Sequence, residues 1–153
     1  MDESRLDTSK TFTAQLSLVQ GDIDRPVRIN DSGWLEILDG HILPTTLWFG
    51  CYRDDGQDVY IIKEFTKGGS KHGAVLSMNS NGYLGFYSDS QRPWVILNQD
   101  DSALTPIGTP NALVSISTKG GRRWTATDND FRALTGNGST LRLKIQRIGV
   151  YHF

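Results

Sequence analysis

The chain has 153 residues, 37% of them hydrophobic, with 16 glycines and a formal net charge of −1 from 16 basic and 17 acidic residues. That length suits one domain, and the near-neutral balance offers no basic field for a phosphate backbone, which argues against nucleic acid as a partner. No run approaches about 18 apolar residues and the start at Met1 to Asp7 lacks the apolar core of a signal peptide, so neither membrane insertion nor signal-directed export is expected.

In chain order, residues 1–11 read as an N-terminal tail and 12–153 as a single domain of short strands divided by turn residues. The predicted strands are 12–19, 26–29, 34–38 and 47–52, then 59–65, 74–78, 83–87 and 94–97, then 113–117, 123–127, 131–135 and 141–145. No 11-residue window carries apolar residues cleanly at helical spacing. The three sets of four resemble one another. A turn followed by an aromatic residue recurs at Ser32-Gly33-Trp34, Asn81-Gly82-Tyr83 and Asn129-Asp130-Phe131, with spacings of 49 and 48. Trp48, Val95 and Arg142, each inside a short strand-like run, are 47 residues apart. Thr-Lys-Gly-Gly stands at both 66–69 and 118–121, where glycine suits the turn between first and second strands. A fixed period of about 48 residues marks three units, at about 12–58, 59–111 and 112–153.

Alternation assigns the faces. Val27 and Ile29 match Leu76 and Met78, then Trp124 and Ala126; Leu35 and Ile37 match Leu84 and Phe86, then Arg132 and Leu134. A period of two puts each pair on one face, predicted to be the inner one. Trp48 and Trp94 read as core as well. Four short strands cannot close a core alone, whereas three such units around an axis can form a barrel. The expected fold is therefore all-β, a β-trefoil of twelve short strands in three pseudo-threefold repeats. The segment from Val75 to Phe86, Val-Leu-Ser-Met-Asn-Ser-Asn-Gly-Tyr-Leu-Gly-Phe, resembles the strand–turn–strand unit of fascin-like and fibroblast-growth-factor-like trefoils. The Gln-x-Trp signature of ricin-type lectins is absent: the matching strands end in Trp48-Phe49-Gly50, Ile96-Leu97-Asn98 and Leu143-Lys144-Ile145. In Ser80-Asn81-Gly82 the Asn-Gly pair predicts a primed hairpin turn.

Enzyme constellations are missing. His41, His72 and His152 lack metal-ligand spacing, Cys51 is the single cysteine and forms no intrachain disulfide, and no nucleophile-elbow or phosphate-loop motif occurs. No catalytic residue, cofactor or metal is expected. A lone cysteine points to a reducing compartment, so the expected location is cytoplasmic, or secreted without a recognisable signal peptide. Asp54-Asp55 and Asp100-Asp101 occupy matching loops and read as solvated charge.

The aromatic residues after the turns admit two readings. An exposed ring with amides, carboxylates and imidazoles nearby suits stacking on a sugar. Trp34 has Asp39 and His41 downstream; Tyr83 has Asn79, Tyr87 and Asp89 around it; Phe131 has Arg123, Asp128 and Asp130. Alternatively, the three rings pack together and plug one end of the barrel. Resemblance to soluble trefoil lectins implies a non-catalytic carbohydrate-binding protein whose partners are glycans or glycoproteins. The candidate ligand-binding residues are Trp34, Asp39, His41, Asn79, Tyr83, Tyr87, Asp89 and Asp128. The rival readings are a protein-binding trefoil (a fascin-like cytoskeletal binder, or a protease inhibitor presenting the loop from Asp39 to Pro44) and a receptor-binding toxin component.

Overall fold

The computed structural model describes residues 6–38, 43–66, 73–88, 92–104, 106–108, 111–126, 133–136 and 138–149. Its strands are β1 (Phe12–Gln20), β2 (Ile23–Ile29), β3 (Leu35–Ile37), β4 (Leu47–Asp54), β5 (Gln57–Glu64) and β6 (Val75–Met78). There follow β7 (Leu84–Ser88), β8 (Trp94–Leu97), β9 (Asn111–Thr118), β10 (Arg123–Ala126), β11 (Ala133–Gly136) and β12 (Leu141–Ile148). The chain is all-β and antiparallel, as its alternating apolar residues predict. No helix among the described residues is long and apolar enough to cross a membrane.

Six strands pair in a ring. β1 pairs with β12 and β4, β4 with β5, β5 with β8 through Tyr60 and Trp94, β8 with β9, and β9 with β12. Such a ring satisfies the backbone groups that an open sheet would leave at its edges. The hairpins β2–β3, β6–β7 and β10–β11 branch from β1, β5 and β9 respectively.

The ring's interior is filled by the predicted alternation. Phe12, Ala14, Leu16 and Leu18 of β1 join Leu47, Phe49, Tyr60, Ile62, Trp94, Ile96, Val114, Ile116, Leu141 and Leu143 in one buried cluster. Val27, Leu35, Ile37, Leu76, Leu84, Phe86 and Trp124 from the hairpins belong to the same cluster. The Leu134 side chain and Arg132 lie outside the described residues. Phe12 stacks on Phe49 at 4.9 Å, and Trp94 meets Trp124 edge to face at 5.4 Å. Cys51 sits opposite Tyr60 across the β4–β5 ladder, fully buried, and burial pushes its thiol up to about 11. The same burial raises the Tyr60 hydroxyl.

Trp48 is buried as expected, but on the outer side of its strand. It is 1% exposed, yet it is absent from the interior cluster because Leu47 and Phe49 on either side point inward. Its indole instead lies on the outer face over Gly50, with the Lys63 ammonium 5.2 Å from the ring centroid. A Cβ built on Gly50 would come within 2.1 Å of that ring. Farther along this face Tyr52, Val59, Ile61 and Val95 form a second apolar cluster, covered in part by Leu6. The segment carrying Leu6 is held by Asp7 N–H donating to Cys51 O at 2.8 Å and by Cys51 N–H donating to Thr11 Oγ1 at 3.1 Å.

Turn chemistry explains the connections. The hairpin at Asn81-Gly82 is not the predicted primed turn: only Gly82 has positive φ, +87°, and Gly82 N–H donates to Asn79 O at 3.0 Å. A turn closed by a left-handed glycine makes a three-residue loop. Positive φ at two successive residues occurs elsewhere, between β4 and β5, at Asp55 (+51°) and Gly56 (+79°). The Thr118-Lys119-Gly120-Gly121 tetrapeptide turns β9 into β10, with Gly121 at φ +96°. Most of its counterpart at 66–69 lies outside the described residues.

Candidate binding site

Two of the three aromatic residues after the turns, Trp34 and Tyr83, meet. Trp34 and Tyr83 are each half-buried, with ring centroids 6.3 Å apart at 90°. The backbones meet too: Trp34 bridges to Gly85, and Phe86 N–H donates to Gly33 O at 2.6 Å. This is the edge-to-face geometry of a packed pair. Asn79 is committed locally, its Oδ1 accepting from Asn81 N–H at 2.9 Å and Tyr83 N–H at 3.0 Å. Asn30 does the same for Ser32 and Trp34, both at 3.0 Å, while its amide donates to Glu36. Asp39, His41, Asp89, Asp128 and Phe131 lie outside the described residues, as does the Tyr87 side chain. Of the eight sequence candidates, the structure thus joins Trp34 to Tyr83 and gives Asn79 a turn-forming role.

A different constellation forms around the loop from Asn98 to Leu104. Asn98 Oδ1 accepts from Asp100 N–H at 3.0 Å and Ser102 N–H at 3.1 Å, repeating the bonds of Asn30 and Asn79. The left-handed position, glycine in both hairpins, here holds Asp101 at φ +67°. That conformation costs an L-residue about 1–2 kcal/mol, although Asp tolerates it better than most. The strained residue is also the one that reaches out: its carboxylate pairs with the Arg123 guanidinium at 2.8 Å. Asp100 turns back on the loop, and its bonds to Ser102 hold its carboxyl below the ordinary carboxylate value.

Arg123 owes its pose to a glycine. Gly138, at φ +106°, leaves open the space where a Cβ would come within 2.9 Å of Arg123 Cδ. The aliphatic stem of Arg123 therefore lies against bare backbone. Next in the chain, Ser139 Oγ bonds Thr125 Oγ1 at 2.8 Å, and Thr140 Oγ1 faces Gln99 Oε1 at 3.5 Å. The result is a polar cleft of about 290 Å³ lined by Gln99, Asp101, Ser115, Arg123, Ser139 and Thr140. It adjoins, through Gln99, a broader depression of about 710 Å³ whose wall includes Leu104, Ala112 and Leu113. Leu113 is 38% exposed.

Chemically, the polar cleft offers a neutral amide that both donates and accepts, a carboxylate, a guanidinium and three hydroxyls. Beside them is an apolar shelf. Convergent polar groups beside an apolar wall are the general make-up of small-molecule sites. No group of three or more His, Cys, Asp or Glu side chains is placed to hold a metal ion among the described residues.

Of these residues only Asp101 and Arg123 stood out in the sequence, and neither for the partner it has. A usable signal was present: Asn98-x-x-Asp101 repeats the Asn30-x-x-Gly33 and Asn79-x-x-Gly82 spacing, with a carboxylate where glycine is the easy choice. Comparison with family models, curated proteins and solved structures gives no match for this chain.

Proposed function

We propose that the chain is a β-trefoil acting as a non-catalytic carbohydrate-binding protein, and that its glycan sits in the cleft beside the loop from Asn98 to Leu104. The ring of six paired strands with three branching hairpins supports the trefoil reading. One observation carries the functional reading: the polar cleft of Gln99, Asp101, Arg123, Ser139 and Thr140 continues onto the apolar shelf of Leu104 and Leu113. Asp101 accepts from vicinal hydroxyls, Gln99 donates and accepts, and the shelf takes the C–H face of the ring. The Trp34–Tyr83 pair closes the hairpin end and is a secondary contact at most, because each ring already packs on the other.

The test is a broad glycan array followed by calorimetry. Gln99→Ala and Arg123→Ala are expected to weaken binding of the best glycan by about tenfold or more, since hydrogen bonds to charged groups are worth roughly 1.5–3 kcal/mol. Melting temperature should hold for Gln99→Ala, whose side chain is exposed, and fall only slightly for Arg123→Ala, which also removes the ion pair to Asp101. A blank array, or unchanged affinity in both variants, refutes the reading. One feature favours the protein-binding alternative: Leu43 is 78% exposed immediately before Pro44. A protease panel with Leu43→Ala as control separates the two.

A further inference from the structure

The internal period provides its own control at one position. Thr45, Arg92 and Ser139 stand 47 residues apart, each ahead of the strand that closes its unit. Thr45 N–H donates to Val27 O at 3.0 Å and Ser139 N–H to Trp124 O at 2.9 Å, so the two occupy equivalent places. Both hydroxyls serve the neighbouring hairpin strand: Thr45 Oγ1 accepts from Ile29 N–H at 3.0 Å, and Ser139 Oγ bonds Thr125 Oγ1 at 2.8 Å. Arg92 has abandoned that role. Its Nε is buried and has no hydrogen-bond partner among the described residues.

Arg92 as a whole is half-buried, but leaving even one buried donor of a charged group unpaired is costly. The surroundings of Arg92 show where a partner would sit. Arg92 lines a cleft of about 390 Å³ together with Met78, Pro93, Thr118, Lys119 and Gly120. Met78 and Pro93 give this cleft an apolar wall. Lys119 adds a second cation at its rim, held in place by Asp54 at 2.6 Å. The equivalent cleft beside Thr45 contains Pro44, Ile29 and Phe65 but also both Arg28 and Glu64, so its one cation is balanced by a carboxylate.

We propose that the Arg92 cleft is a second, acidic-saccharide subsite, in which the guanidinium and Lys119 take an oxyanion while Met78 and Pro93 pack against the apolar face of the sugar. This rests on the glycan reading above and extends it: the Gln99 cleft takes neutral sugars and the Arg92 cleft selects for charge. Arginine's planar fork matches a carboxylate or a sulfate ester equally well, so the oxyanion is the shared chemistry of uronic-type and sulfated sugars.

The Arg92 Nε–H resonance, identified by its loss in Arg92→Lys, is followed by nitrogen-15 NMR during titration with methyl glucuronide, galactose 6-sulfate and methyl glucoside. The two acidic probes are expected to shift it saturably, the neutral one not at all, and whichever acidic probe binds tighter identifies the anion. Arg92→Ser installs the residue found at the equivalent position 139 and is therefore expected to fold. It should lower affinity for acidic glycans about tenfold and leave neutral-glycan binding intact. Lys119→Ala should weaken the acidic probes less. The absence of any shift with either acidic probe, or equal shifts with the glucoside, overturns the subsite. A blank neutral array with the acidic shifts intact overturns the Gln99-cleft reading and supports the acidic site.

Discussion

Gly50→Ala is the most discriminating substitution for the packing described above. In a strand, alanine normally gains about 0.5–1 kcal/mol over glycine through the smaller entropy of the unfolded chain. Here the added methyl would stand 2.1, 2.4 and 2.8 Å from three ring atoms of Trp48, and Lys63 caps the other side of that ring. The indole must swing off the barrel wall. Full exposure of a tryptophan that buries roughly 200 Å² would cost on the order of 5 kcal/mol, and a partial swing about half of that. After the alanine gain, the net loss is about 2 kcal/mol, or a fall of roughly 4–8 °C in melting temperature for a chain of this size. Urea unfolding followed by tryptophan fluorescence and circular dichroism measures it. The double-mutant cycle isolates the cause. Trp48→Ala alone should cost about 3–5 kcal/mol, and adding Gly50→Ala to it should then be neutral or stabilising. If Gly50→Ala melts at or above the unmodified protein, or costs the same in both backgrounds, Trp48 does not lie across Gly50.

Two further outcomes are expected. Gly82→Val forces a β-branched residue to φ +87° and should cost roughly 1–2 kcal/mol or more, whereas Asn81→Ala, at ordinary φ, should change stability by less than about 0.5 kcal/mol; comparable losses at both positions would mean the turn is misdescribed. Cys51 should resist thiol reagents until the protein unfolds, and stability should fall between pH 9 and about 11. The sign follows from linkage: the unfolded thiol ionises first, so in that window the unfolded state binds fewer protons, losing up to about 1.4 kcal/mol of stability per pH unit. Cys51→Ala should flatten the slope there, and an unchanged slope would assign the loss to other groups.

The sequence shows its strands clearly because two independent signals agree. Turn residues mark the breaks, and period-two alternation marks the inner face; Val27, Leu76 and Trp124 read as equivalent inward positions and all three are buried. Trp48 reads correctly as buried, but the face it occupies was not legible, because it depends on Gly50 two residues on allowing the ring to lie flat against the outside of β4. The candidate cleft was illegible for a different reason. Arg123, Asp101 and Thr140 come from a strand and two loops, and no local pattern says which loops will face one another. Nor does sequence show that Arg92 lacks the bond that Thr45 and Ser139 make, since that comparison requires knowing where each side chain ends.

Closing β1 against β12 has a consequence for how the molecule is made. Gln15 and Gln146, whose side chains bond at 3.3 Å across that seam, are 131 residues apart in the chain. Contacts this remote form late, and strand-rich topologies dominated by them fold in milliseconds to seconds rather than microseconds. During synthesis, β1 emerges with one permanent neighbour still unmade and presents a bare hydrogen-bonding edge until the last strand arrives. In that interval the nascent chain is at its most prone to aggregate.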